Sequence, residues 1–478
     1  MDQHRTPLFD TLIQHDKQQP LSFHVPGHKN GVLFPSKANP YYSSILSIDV
    51  TELTGLDDLH APEGAIREAE ELLANIYRTR HSFFLINGST VGNLTMILST
   101  FEEGDIVFVQ RNCHKSILNG LKLAKLKPIF IEPDFNENWK VATSISKDSL
   151  QAAHQAYPKG KGVILTYPNY YGFASDIKEI IDYCHLYGMV VLVDEAHGAH
   201  FIAGEPFPPS ALQLGADMVV QSAHKTLPAM TMAAYLHINS ERIPFDTVKS
   251  YLQVLQSSSP SYPLMASLDI ARSYIATYDE EDKKYLEEQL AIFIKKLKEI
   301  PVIKVLHHQS KGDPLKIVLQ SNQGNSGFDL QRRLESVGVY SELADSHNVL
   351  LVFPLLKKGV SYPVLEVSRR IQDVLKGEIG NATLRSVQIK RSEQIFSSLE
   401  IEYKEQLQLR QMVIPLVESM GENSAEMIIP YPPGIPLFME GEKITSEKLE
   451  ILRQLIQLGA RFHGGEFLGD QKIKIYKR

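Results

Sequence analysis

The sequence predicts an α/β fold: a large domain on a mostly parallel sheet, then a smaller α/β domain and a carboxyl-terminal domain. Three observations carry this. Short apolar runs alternate with amphipathic stretches between residues 65 and 240, the pattern of strands joined by crossover helices. Polar residues gather just after successive apolar runs, which puts them together at the carboxyl ends of parallel strands. A chain of 478 residues also exceeds what one core fills, so two or three domains are expected.

Composition narrows the class. The chain is 43% hydrophobic and 22% charged, with a formal charge of −7, so nothing points to nucleic-acid binding. Two cysteines, Cys113 and Cys184, are too few for a disulfide framework or a cysteine-rich zinc site. The amino terminus has no apolar core of signal-peptide length and no run of eighteen apolar residues follows; a cytoplasmic location is expected.

In chain order, residues 1–60 read as irregular and rich in binding side chains: His24-Val25-Pro26-Gly27-His28-Lys29, then Asp57-Asp58-Leu59-His60. From Pro62 the three- and four-residue spacing of Ala65, Ile66, Ala69, Leu72, Leu73 and Ile76 predicts a helix. Ser82 to Ile86 reads as a buried strand, and Asn87-Gly88-Ser89-Thr90 opens a helix to Thr100. A glycine and two hydroxyls at a helix start can cradle a phosphate, since free amides and the helix dipole both favour an anion; plain N-capping by Ser89 or Thr90 is compatible with that. Strands at 105–109 and 162–166 lead into Arg111-Asn112-Cys113-His114-Lys115 and Tyr167-Pro168-Asn169-Tyr170, and a helix at 176–187 returns the chain to the strand 189–194.

Two strand ends carry the chemistry. The apolar run Met218-Val219-Val220-Gln221 breaks into Ser222-Ala223-His224-Lys225-Thr226. A lysine in a closed pocket at a strand end is desolvated and nucleophilic, as a Schiff-base lysine must be. About thirty residues upstream, a strand ends in Asp194-Glu195-Ala196-His197, an acid suited to keeping a pyridine nitrogen protonated in pyridoxal phosphate. A metal reading of Asp194, Glu195, His197 and His200 fails on spacing: the histidines are three apart, not four, and no third and fourth ligands adjoin. No metal is expected.

A strand follows at 231–237, then the Ser-rich loop 255–263, then one long helix from 264 to about 299. Beyond Pro301, strands at 316–319 and 349–353 flank a helix at 328–337, and Glu342 and Asp345 precede the last strand. A polar stretch at 376–383 marks a boundary, so the expected division is 1–60, 61–300, 301–380 and 381–478. Tyr431-Pro432-Pro433-Gly434 reads as a rigid extended segment.

Together, Ser222-Ala223-His224-Lys225, Asp194-Glu195-Ala196-His197, Asn87-Gly88-Ser89-Thr90, Arg111-Asn112-Cys113-His114 and the Pro-Tyr-Pro-Pro-Gly segment resemble the pyridoxal-phosphate-dependent Orn/Lys/Arg decarboxylases, in the family's order. The likeness runs from about His24 to about Glu442 and fits the shorter bacterial branch without the amino-terminal wing domain. It implies an aminotransferase-like fold type I enzyme that decarboxylates arginine, lysine or ornithine as a homodimer with active sites at the interface. It also implies roles. Lys225 would hold the cofactor, Asp194 its ring nitrogen, and His114 would stack on the ring. Gly88, Ser89, Thr90, His197 and Ser222 would complete the cofactor site, with Ser257 and Ser258 reaching the neighbouring subunit's phosphate. Asp57, Asp58, His28, Glu342 and Glu440 are the substrate-binding candidates, Glu442 a weaker one, and His224, Lys225 or water would reprotonate Cα. An aminotransferase or β-eliminating lyase on the same fold, or a catalytically silent regulatory homologue, stays open. The segment 349–359 offers lysines but no arginine to grip an α-carboxylate, which argues for carboxylate loss, and the intact Asp194, His114 and Lys225 argue against a silent homologue.

Overall fold

The computed structural model describes residues 1–308, 312–376, 395–431, 435–457 and 459–477, and the chain divides into two compact units. The first comprises residues 1–100 and 190–279. Its strands run in the order His81–Leu85, Ala234–Ile238, Met218–Gln221, Val190–Asp194. The last two are parallel, with Leu192 opposite Met218 and Asp194 opposite Val220; the other pairs are antiparallel. This part of the sheet is thus mixed where a mostly parallel one is expected, because the chain after Lys225 turns straight back instead of crossing over through a helix.

The helix Ala65–Tyr77 forms where the apolar spacing predicts it, burying Ile66, Ala69, Leu72, Leu73 and Tyr77. The helix Gly88–Thr100 begins one residue after the expected turn. Gly92 lets it lie close: a Cβ there would come within 2.7 Å of Leu85 and Val220. Residues 1–60 are not uniformly irregular, for they contain the helices Pro7–Lys17 and Asn39–Leu46. Pro7 at the first turn and the buried pair Leu8 and Leu12 were the available signal. The first helix is capped from outside by Asp269, which accepts from the Leu8 amide at 3.0 Å and is itself paired with Arg272 at 2.7 Å.

The expected single helix over 264–299 is two, Tyr262–Ala276 and Glu280–Lys298. No glycine or proline announces the break. The Thr277 hydroxyl donates to the Ser273 carbonyl at 2.7 Å, and Glu280, Glu281 and Asp282 favour a fresh helix N-terminus. The boundary between units falls here.

The second unit comprises residues 101–189 and 280–478. Its larger strand set runs Gly162–Thr166, Ile106–Gln110, Lys127–Ile131, Phe396–Ser398, with the first three parallel. A separate antiparallel sheet orders Ile303–His307, Lys316–Ser321, Asn348–Val352 and Leu343–Ala344. A third sheet, of Arg410–Pro415, Lys472–Lys477 and Asn423–Ser424, covers a core that includes Leu416, Ile428, Phe438, Leu452 and Ile473. The boundary expected at 376–383, from residue 377 on, and Pro432, Pro433 and Gly434 of the expected extended segment lie outside the described residues.

Arg111 is the polar centre of this unit. Only 4% exposed, it donates to both carboxylate oxygens of Glu442 at 2.8 and 2.9 Å and to the Leu437 carbonyl, and it lies 3.4 Å from Glu132. Burial alone would raise the Glu442 carboxyl; Arg111 and Lys448 instead hold it down at about 2. Glu442 is therefore a structural counter-ion to Arg111 in this fold.

Candidate active site

Because Val190–Asp194 and Met218–Gln221 are parallel, both strands deliver their following loops to the same end of the sheet. Asp194 closes the first strand and is 2% exposed. Its Oδ2 accepts from Asn93 Nδ2 at 2.8 Å and its Oδ1 from the Ala196 amide at 3.1 Å. After the second strand comes a single helical turn, Ala223–Thr226, in place of the expected loop. On it Lys225 is half-buried, with Nζ 3.0 Å from His197 Nε2. His224 Nδ1 faces the Ala233 carbonyl at 3.0 Å, which fixes its proton there and leaves Nε2 as the acceptor nitrogen.

The residues expected to cradle a phosphate come from two elements. Gly88 adopts φ +76 and starts the thirteen-residue helix, and Ser222 Oγ donates to Ser89 Oγ at 2.8 Å. Thr90, beside Ser89, is exposed. Next to Lys225, the Thr226 hydroxyl is buried and has no hydrogen-bond partner among the described residues. Hydroxyls, a helix N-terminus, an amine and a buried carboxylate fit pyridoxal phosphate: amides and hydroxyls for the phosphate, Lys225 for the aldehyde, Asp194 for the ring nitrogen.

The other expected residues have these contacts within their own units. His114 caps the helix Lys115–Leu123, its Nδ1 bonded to the Ser116 hydroxyl at 2.7 Å. Ser257 is tied to its own chain: its amide donates to Asn87 Oδ1 at 3.3 Å and its carbonyl lies 2.8 Å from His60 Nε2. Ser258 is exposed beside it. Asp57, at φ +69, spends both oxygens on the amides of Asp58, Glu63, Gly64, Ile66 and Arg67, so it caps the helix that starts at Ala65. Asp58 Oδ1 accepts from the His60 amide at 2.8 Å. His28 lies between Asp49 Oδ2, at 3.1 Å, and the Gly31 amide, at 3.1 Å. Glu342 is exposed just before its strand, and Glu440 pairs with Lys122.

Sequence reasoning missed Asn93, Thr226 and a role for Glu195. Asn93 had a signal: an asparagine inside a helix is unfavourable unless its side chain is used. Glu195 is fully buried, accepts three hydrogen bonds, and is pushed by desolvation up to about 7.

Amine and acid at the ends of neighbouring parallel strands, with a glycine-started helix alongside, place the protein among the fold type I pyridoxal-phosphate enzymes. The Orn/Lys/Arg decarboxylase major-domain model matches residues 6–310 and the C-terminal domain model matches residues 391–466. The chain belongs to the Orn/Lys/Arg decarboxylase family and is an amino-acid decarboxylase with pyridoxal phosphate as its cofactor. It is 46% identical over 484 residues to the uncharacterized protein YaaO of Bacillus subtilis, covering 98% of each chain. It is 32% identical over 491 residues to the arginine decarboxylase of the same organism, covering 100% of this chain and 99% of that one. Among solved structures it resembles the lysine decarboxylase LdcF of Francisella novicida, with a TM-score of 0.83 and 20% identity over 98% of this chain and 81% of that one.

Proposed function

We propose that the protein removes the α-carboxylate of a basic L-amino acid, arginine first, at a site organised by Lys225 and Asp194. The observation that carries this is the pairing of Lys225 Nζ with His197 Nε2 at the end of the sheet where Asp194 is buried. Full-length similarity to a protein named arginine decarboxylase, at 32% identity, supports arginine; three relatives named lysine decarboxylases are 22–24% identical.

Pyridoxal phosphate, when bound, supplies an electron sink for the pair left on Cα as carbon dioxide departs. The rest is done by this chain. Lys225 Nζ holds the aldehyde carbon, and His197 orients that amine. Asp194, fixed by Asn93 and the Ala196 amide, keeps the ring-nitrogen proton. Gly88, Ser89, Thr90 and Ser222 would anchor the phosphate, and His114 is the candidate for the ring face. His224 Nε2 once it has taken up a proton, Lys225 Nζ, or a water delivers the proton to Cα. Asp58, His28, Glu342 and Glu440 are the substrate-side candidates; Asp57 acts by shaping the loop that presents Asp58. Ser257 and Ser258 reach the phosphate of a second subunit in a homodimer, and the enzyme works in the cytoplasm, supplying polyamine precursors.

The test is product analysis of purified enzyme loaded with pyridoxal phosphate and given arginine, lysine or ornithine. Carbon dioxide with agmatine, cadaverine or putrescine supports the reading and names the substrate. A keto acid or pyruvate contradicts it.

A further inference from the structure

Glu195 follows Asp194 and takes no part in the chemistry above, yet it is fully buried. Its Oε2 accepts from Gln221 Nε2 at 2.6 Å and from Ser210 Oγ at 2.7 Å, while Oε1 accepts from the Ala211 amide at 2.7 Å. Its own amide donates to the Val220 carbonyl at 2.8 Å. A carboxylate is costly to bury unless donors converge on it, and here three do.

Gln221 is the hinge between the two strand ends. It closes the strand before Ser222, the residue bonded to Ser89, and lies four residues before Lys225. The Gln221 NH2 donates to Glu195, so Gln221 Oε1 is left facing His237 Nε2 at 3.2 Å, which takes the proton and leaves His237 Nδ1, 2.7 Å from Ser82 Oγ, as the acceptor. The turn after Asp194 also closes tightly on the Glu195 stem, since a Cβ on Gly198 would come within 2.7 Å of Glu195 Cγ.

We infer that Glu195 is a positioning residue: through Gln221 it locks the 194–198 turn, with Asp194 and His197, to the loop that carries Lys225. The inference rests on the reading of Lys225 and Asp194 as the cofactor's amine and acid. It asks more of Glu195 than packing, because an apolar side chain of the same volume would fill the space without fixing the two loops against each other.

A swap of the pair tests it. Glu195→Gln alone sets an NH2 against one of the donors, Gln221 Nε2 or the Ala211 amide, and loosens the cluster either way. Gln221→Glu alone sets two carboxyls together. In the double variant the amide now at position 195 donates to the carboxylate now at position 221, Ser210 Oγ turns to accept, and His237 Nε2 still has an acceptor. Pyridoxal phosphate affinity is read by visible absorbance, ring orientation by visible circular dichroism, and folding by thermal unfolding of the apoprotein. Each single variant is expected to weaken cofactor affinity about tenfold and shift the dichroism, as the loss of a hydrogen bond to a charged group implies, and the double variant to restore both. Ser210→Ala, which removes one donor only, should shift affinity in the same direction by less and serves if the single variants do not fold. Unchanged affinity and dichroism in Glu195→Gln, or unchanged affinity in Ser210→Ala where the others do not fold, overturns the inference. So does a double variant that regains thermal stability but not affinity. Borohydride reduction of the loaded wild type separates the two readings. A label on Lys225 with unaffected variants overturns the role of Glu195 alone; a label elsewhere overturns the site and this inference with it.

Discussion

At the scale of single residues, the acid matters less for being present than for being held. Asp194 is held by the Asn93 side-chain amide at 2.8 Å and by the Ala196 backbone amide. Asn93→Leu keeps the volume and removes the first of these anchors. A hydrogen bond to a charged group contributes about 1.5–3 kcal/mol, so kcat/KM should fall by roughly tenfold to a hundredfold, with thermal stability less affected. Steady-state kinetics on the substrate found by product analysis measures it, and an unaltered kcat/KM would show that Asp194 needs no such anchor. Lys225 and Asp194 were legible in the sequence because each ends a recognisable apolar run. Asn93 was only half legible: its place inside a helix marks the side chain as used, but its partner lies 101 positions away. Asp57 taught the opposite lesson: paired acids invite a substrate role, but only the structure shows five amides occupying one of them.

At the scale of elements, the cofactor cradle depends on how closely the helix Gly88–Thr100 approaches the sheet. Gly92 is the contact that permits it. Gly92→Val would collide with Leu85 and Val220 and must push the helix outward; overpacking of this kind costs about 1–3 kcal/mol. A lower thermal midpoint, with weaker pyridoxal phosphate binding because Gly88 and Ser89 ride on the same helix, is the expected result; a stable variant with wild-type affinity would show that the helix has slack. Many of the strands and helices between residues 65 and 240 were readable from periodicity, but the strand Lys127–Ile131 and the helix Lys147–Ala156 were not among them. The helices within residues 1–60 were obscured by the turn residues around them, and the break at 277–279 by the lack of any breaker, since it is made by side-chain capping and the charge of the next N-terminus. Antiparallel strand direction after Lys225 could not be read from composition at all, because apolar strands of either direction look alike.

At the scale of the whole chain, acid stability should report the buried pair Arg111 and Glu442. Glu442 titrates near 2 in the folded protein against 4.5 in a free glutamate, so its stabilising contribution is complete above pH 4.5 and is lost as pH falls from 4.5 towards 2. Glu442→Gln should flatten that part of the stability profile and, by taking the bidentate partner from buried Arg111, destabilise the protein by about 3–5 kcal/mol at neutral pH. Chemical denaturation across pH tests both; an unchanged acid limb would assign the loss to other carboxylates. The central claim concerns one amine, and one measurement addresses it most directly. Purified protein saturated with pyridoxal phosphate, reduced with borohydride and digested, should yield a single phosphopyridoxyl peptide carrying its modification on Lys225. A modification on another lysine, or none, would contradict the account.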